Sequence, residues 1–236
     1  MPTKPEKANI KKTSKHKGKI ILFSIIVIVI AVAVTTLLAI VPFRTPTRGE
    51  PIANYENPRS ALLVIHVQNI ITNNPNRGDT REFVNNVNRA ITIAEEYGME
   101  ILYVQHITRT RNPIALLLRN GMREDMDGTE LDSNLQIIND NIFNNAPRGD
   151  AFSSRELEAF LIANKIDTLY IVGGDGRGCA FNTALGGANR NYTVNVIADA
   201  ISIMDSADLG ETLDRYISAG VSVIDLAQFE QLVKNR

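Results

Sequence analysis

The stretch "DTLYIVGGDGRGCAFNTALGGANRNYTVNVIADA", Asp167 to Ala200, decides the fold. An apolar run, "DTLYIVGG", enters a glycine-rich turn; an alanine-rich segment, "AFNTALGGANRNY", follows; a second apolar run, "TVNVIADA", closes the unit. Two strands joined through a helix can lie parallel in one sheet only by a crossover, and such crossovers are right-handed. The same alternation continues on both sides. Upstream, "SALLVIHVQ" reads as a strand buried on both faces, and "TREFVNNVNRAITIAEEYG" as a helix with apolar Phe83, Val87, Ala90, Ile91 and Ala94, ended by Gly98. "MEILYVQHIT" is a further strand, and "SSRELEAFLIANK" a helix capped by Ser153 or Ser154. Downstream, "SADLGETLDRYISAG" is a helix, and "VSVIDLAQFEQLVKNR" a strand followed by a short helix. The expected fold is a three-layer α/β/α domain with a mostly parallel sheet over residues 60–236. Between Arg109 and Ala151 the chain is rich in Asn, Asp, Gly and Arg and reads as a long excursion with at most short helices.

The N-terminal part differs in kind. Seven lysines and one acid, Glu6, occupy residues 1–19. "IILFSIIVIVIAVAVTTLLAIVPF", residues 20–43, then carries only one serine and two threonines as polar side chains, enough apolar length to span a hydrocarbon core of about 30 Å. A signal peptide has a shorter apolar region, and no small-x-small cleavage site follows. The expectation is a basic cytoplasmic tail (1–19), one transmembrane anchor (20–43), a proline-rich linker (44–59) and an extracytoplasmic domain, oriented by the positive-inside bias. The whole chain of 236 residues has a net charge of −1, and only Lys165 and Lys234 supply lysine beyond the tail. With no basic stripe interleaved with aromatics, no nucleic-acid partner is expected.

A single cysteine, Cys179, cannot form an intramolecular disulfide. Ligands of open parallel sheets bind at the carboxyl ends of the strands. The first strand ends near His66, the second near His106, and the third runs into the turn before Cys179, so all three are expected at one edge. Gly173, Gly174, Gly176 and Gly178 allow the backbone to approach a substrate closely. Cys179 would open a helix, where amides and the positive dipole end lower a thiol's pKa and hold an oxyanion. The bland alternatives are a buried small hydrophobe at 179, a core histidine at 66, a rim histidine at 106, and ordinary turn residues at Asp175 and Arg177.

Together "ALLVIHVQN", "MDGTELDSNL", "RGDAF", the Ile166–Ala200 unit and "AGVSVID" resemble, in order and spacing, the isochorismatase-like cysteine hydrolases, a family that includes nicotinamidases; the likeness runs from Ser60 to Leu232. The resemblance implies a cysteine nucleophile at Cys179, an aspartate base at the position of His66, and a lysine at the position of Ala146, so two of three catalytic positions are substituted. It also implies an oxyanion hole from the backbone of Cys179 and Asp175, with Gly174–Asp175 as the candidate cis bond and Gly178 completing the turn. Gln68, His106, Arg148 and Phe152 are the candidate substrate contacts.

A Cys–His pair activates thiols elsewhere, so His66 is the candidate replacement base. Three functions remain open: a membrane-anchored cysteine hydrolase acting on a small amide or related C–N bond; an inactive relative serving as an extracytoplasmic binding or assembly module; and a metal site from His66, His106 and Cys179. The preferred reading calls for no cofactor and no metal, a small-molecule substrate or ligand, the membrane through residues 20–43, and self-association as in related hydrolases.

Overall fold

The computed structural model describes residues 19, 21–37, 45–74, 79–109, 122–146, 148–203 and 208–235. The chain divides into two compact units, residues 1–42 and 43–236. In the first, residues 21–37 are helical, and the hydroxyls of Thr35 and Thr36 donate back to the carbonyls of Ala31 and Val32. Residues 1–18 of the expected basic tail, and residues 20 and 38–43 of the expected anchor, lie outside the described residues. The seventeen described helical residues, 21–37, rise about 25 Å. Among the described residues no helix is long and apolar enough to cross a membrane.

The second unit is a three-layer α/β/α fold built on six strands: β1 (Arg59–Ile65), β2 (Glu100–Gln105), β3 (Ile142–Asn144), β4 (Ile166–Gly173), β5 (Thr193–Ile201) and β6 (Ser222–Ile224). Their order is β3-β2-β1-β4-β5-β6 and every pairing is parallel. The helices are α1 (Asn69–Thr72), α2 (Arg81–Glu96), α3 (Arg155–Ala163), α4 (Cys179–Ala188), α5 (Leu209–Ser218) and α6 (Leu226–Lys234). Alternate residues of β1 feed two cores, as expected of a strand covered on both faces. Ala61, Leu63 and Ile65 join Leu157, Leu161, Ala180 and Ala184 on one side; Leu62 and Val64 join Val87, Ile91 and Phe229 on the other.

The local signals explain the boundaries. Ser154 caps α3, its hydroxyl accepting from the Leu157 amide, and Gly98 (φ 65°) follows the end of α2. On α2 the buried stripe is Val84, Val87, Ala90, Ile91 and Ala94. Val84 joins the expected positions as a buried residue, and Phe83 packs against the same core half-buried. β3 is a strand within the expected excursion, whose residues 110–121 and 147 lie outside the described residues. Three residues long and at the sheet edge, β3 has too little apolar periodicity to be read in isolation.

The proline-rich segment is also more than a tether. Thr47 is 8% exposed, its amide and hydroxyl both donate at 2.6 Å to Asp150 Oδ2, and the Ile52 amide donates to the carbonyl of Arg190. Residues 45–52 form a strap on the domain, held by the C-terminal end of α4.

Candidate active site

β1 stops at Ile65 because His66 adopts a left-handed backbone, φ 50°. That conformation is uncommon for a residue with a β-carbon. Next to it, Gly173 has φ 111°, and a β-carbon there would stand 2.1 Å from the Ile65 carbonyl oxygen. Glycine at 173 is therefore obligatory for β1 and β4 to end side by side. The Gly174 amide donates to that same Ile65 oxygen at 2.9 Å. The Gly174–Asp175 peptide is cis. The Asp175 carbonyl then accepts from the amides of Gly178 and Ala180, and Cys179 is the first residue of α4. Tyr216 secures the turn from outside, its hydroxyl donating at 2.7 Å to the Gly176 carbonyl. Burial pushes that phenol's pKa upward.

Cys179 is half-buried, and a β-carbon on Gly149 would sit 3.0 Å from its sulfur. His66, only 2% exposed, places Nε2 3.1 Å from Asn145 Oδ1. The thiol and the imidazole therefore both abut the loop 145–149 that follows β3. His106 adds a third group: its Nδ1 is also 3.1 Å from Asn145 Oδ1, and its ring meets that of His66 edge-on at 5.5 Å between centroids. Burial, reinforced by the proximity of His106, lowers the pKa of His66 to about 3, against the opposing effect of the Asn145 bond. His106 is lowered too, chiefly by burial, while bonds to Asn145 and the Arg148 backbone act in the opposite direction. Both rings are neutral at physiological pH.

The other expected contacts are distributed differently. Gln68 is fully buried; its amide nitrogen donates to the Thr129 carbonyl and its oxygen accepts from the His106 amide. Both polar ends are spent on backbone, so Gln68 shapes the loop carrying His106 rather than meeting a substrate. Phe152 lies in the core, 5.6 Å from the Tyr192 ring and 4.6 Å beneath the Arg190 guanidinium. Arg148 lines a cleft of about 490 Å³ with Thr45–Arg48 and Asn189, on the strap side of the loop. Ala146, where the resemblance implies a lysine, offers no polar side-chain group, and its amide donates to Asn144 Oδ1. Among the described residues no group of three or more His, Cys, Asp and Glu side chains could hold a metal ion, so the His66–His106–Cys179 metal site is not formed.

Asn145, the residue before Ala146, escapes sequence reading. It is fully buried; its Nδ2 has no hydrogen-bond partner among the described residues. Asp150, Thr47 and Arg190 were equally silent. Burial raises the Asp150 pKa, opposed by the Thr47 bonds, and Arg190 donates to Glu158, Thr47, Gly186 and Arg48.

A cysteine that opens a helix after a glycine turn, with a histidine at the end of the neighbouring strand, sits where parallel α/β enzymes do their chemistry. The chain belongs to the isochorismatase family of cysteine hydrolases: the family model described as Isochorismatase domain matches residues 60–228. No curated protein matches it. Among solved structures it is similar to a cysteine hydrolase from Pseudomonas syringae pv. phaseolicola 1448A, with 18% identity over 79% of this chain and 99% of that one, and a TM-score of 0.67. N-carbamoylsarcosine amidase from Thermoplasma acidophilum shares 21% identity over 71% of this chain and 96% of its own, TM-score 0.60. The pyrazinamidase/nicotinamidase of Streptococcus mutans UA159 shares 16% over 70% and 99%, TM-score 0.61. At these identities the likeness speaks for the fold alone.

Proposed function

We propose that this protein is a membrane-anchored cysteine hydrolase that cleaves a small amide or a related C–N bond, with Cys179 as nucleophile and His66 as its base. The observation that carries the reading is that Cys179 and His66 both abut the loop 145–149. His66 takes the thiol proton, and the sulfur attacks the carbonyl carbon, whose π-electron pair moves to oxygen. In this reading the backbone amides of Asp175 and Cys179 stabilise that oxyanion. Collapse expels the amine, which receives the proton from His66. Water, deprotonated in turn by His66, hydrolyses the thioester, releases the acid and restores the thiol. Burial keeps His66 in the neutral form that this role needs, and pairing with the thiolate would offset the desolvation of the imidazolium.

Anchoring rests on the apolar composition of residues 20–43 and on threonine hydroxyls that bond within the helix over 21–37, as a lipid environment demands. The lysine-rich residues 1–19 stay cytoplasmic and the domain faces outward. Such an enzyme needs no cofactor, and self-association is compatible with one anchor per copy.

The test is the pH-dependent alkylation rate of Cys179 in the wild type, His66→Ala and His66→Asp, followed by an amide substrate screen. A fast thiol that slows in His66→Ala supports the pair. A slow thiol indifferent to both substitutions would leave the domain as a binding module on an inherited fold. Carbonate extraction of membranes tests the anchor, with release of the chain as the result against it.

A further inference from the structure

Asn145 accepts from two imidazoles through one oxygen, and that arrangement has a chemical consequence for the base. We propose that Asn145 is the positioning residue of the site, holding His66 as the Nε2–H tautomer so that Nδ1 carries the lone pair; this rests on the hydrolase reading for its catalytic meaning. An amide oxygen can only accept, so each ring nitrogen 3.1 Å from Asn145 Oδ1 must carry a proton. A neutral imidazole has one N–H, and fixing it at Nε2 leaves Nδ1 as the only basic atom of His66.

Asn145 is built to hold that position. Its amide donates to the carbonyl of Gln105, the last residue of β2, and its own carbonyl accepts from the Ser153 hydroxyl at 2.6 Å and the Arg148 amide at 3.1 Å. The side chain is thus fixed through β2, the start of the 148–153 segment and two histidines. The family's lysine position is the adjacent Ala146, so the loop that lost a charged side chain carries a neutral hydrogen-bonding one a single residue earlier. Cysteine, histidine and asparagine in those roles are a known way of activating a thiol on unrelated folds.

The experiment is side-chain ¹⁵N–¹H correlation NMR on full-length protein labelled with [¹⁵N]histidine, in the wild type, Asn145→Ala and Asn145→Asp. The chain has three histidines, so His66→Asn and His106→Asn complete the assignment. The expected spectrum shows His66 as the Nε2–H tautomer in the wild type and in Asn145→Asp, which keeps an acceptor, and a tautomer mixture in Asn145→Ala. Alkylation of Cys179 at pH 7 in the same three proteins should slow at least tenfold in Asn145→Ala and recover in Asn145→Asp. A wild-type His66 protonated at Nδ1, or a tautomer unchanged by Asn145→Ala, overturns the proposal even if the thiol is reactive. A wild-type His66 protonated at Nδ1 overturns the proposal even where a variant does not fold. A thiol slow in all three proteins with the tautomer shift present would instead uphold the positioning role and defeat the hydrolase reading.

Discussion

Replacing His66 with asparagine should remove a defined part of the protein's acid sensitivity. Asparagine tolerates the left-handed backbone at 66 better than most residues, so the substitution removes the ring with little added strain. In the folded protein His66 has a pKa lowered from 6.5 to about 3. The unfolded chain therefore binds this proton first, and stability falls as pH drops from about 6.5 toward about 3. Between pH 7 and pH 5 the unfolded histidine becomes almost fully protonated while the folded one stays neutral, which costs about 2 kcal/mol. His106, shifted in the same direction, and Asp150, shifted upward, titrate in both proteins; the difference between the two curves reports His66. Urea unfolding of the full chain can be followed by tyrosine fluorescence, because the chain has no tryptophan and all six tyrosines lie between residues 55 and 216. Wild type should lose about 2 kcal/mol more than His66→Asn between pH 7 and pH 5. Parallel curves for the two proteins would refute the claim that His66 is buried and neutral.

Three further substitutions probe the frame. Gly173→Ala should prevent folding or cost more than about 4 kcal/mol, since its β-carbon would stand 2.1 Å from the Ile65 oxygen at a φ of 111°; a soluble variant with a near-wild-type melting temperature contradicts the geometry. Thr47→Val removes a hydroxyl donor from the buried Asp150 carboxyl and should destabilise the domain by about 2 kcal/mol in urea titration, whereas a loss under about 0.5 kcal/mol would show that the strap is not coupled to the core. Gly149→Ala places a methyl group 3.0 Å from the Cys179 sulfur and should slow alkylation roughly tenfold or more; unchanged alkylation would mean that the thiol is approached from another side.

Periodicity alone made most of the fold legible. The apolar runs of β1, β2, β4 and β5 are long enough to be recognised, and Gly98 and Ser154 mark helix ends by simple backbone chemistry. β3 was hidden because three residues at a sheet edge carry no period of their own. The turn before Cys179 was legible because a run of glycines advertises its backbone freedom in the local sequence, even though the close approach that requires Gly173 comes from Ile65 on β1. The strap was hidden for the opposite reason: Thr47 and Asp150 are 103 residues apart, and nothing in either local pattern points to the other.

By itself the sequence determined what depends on near neighbours: the alternation of strands and helices, and a cysteine that opens a helix after a glycine turn. Only the tertiary structure decided what those residues meet. It brings His66 and His106, from the ends of β1 and β2, to the amide oxygen of Asn145 at the end of β3, commits Gln68 to the backbone, and buries Phe152 in the core beneath Arg190. The physical reason is that hydrogen bonding and burial across strand ends are set by sheet order, which places residues 66, 106 and 145 together although they are far apart along the chain.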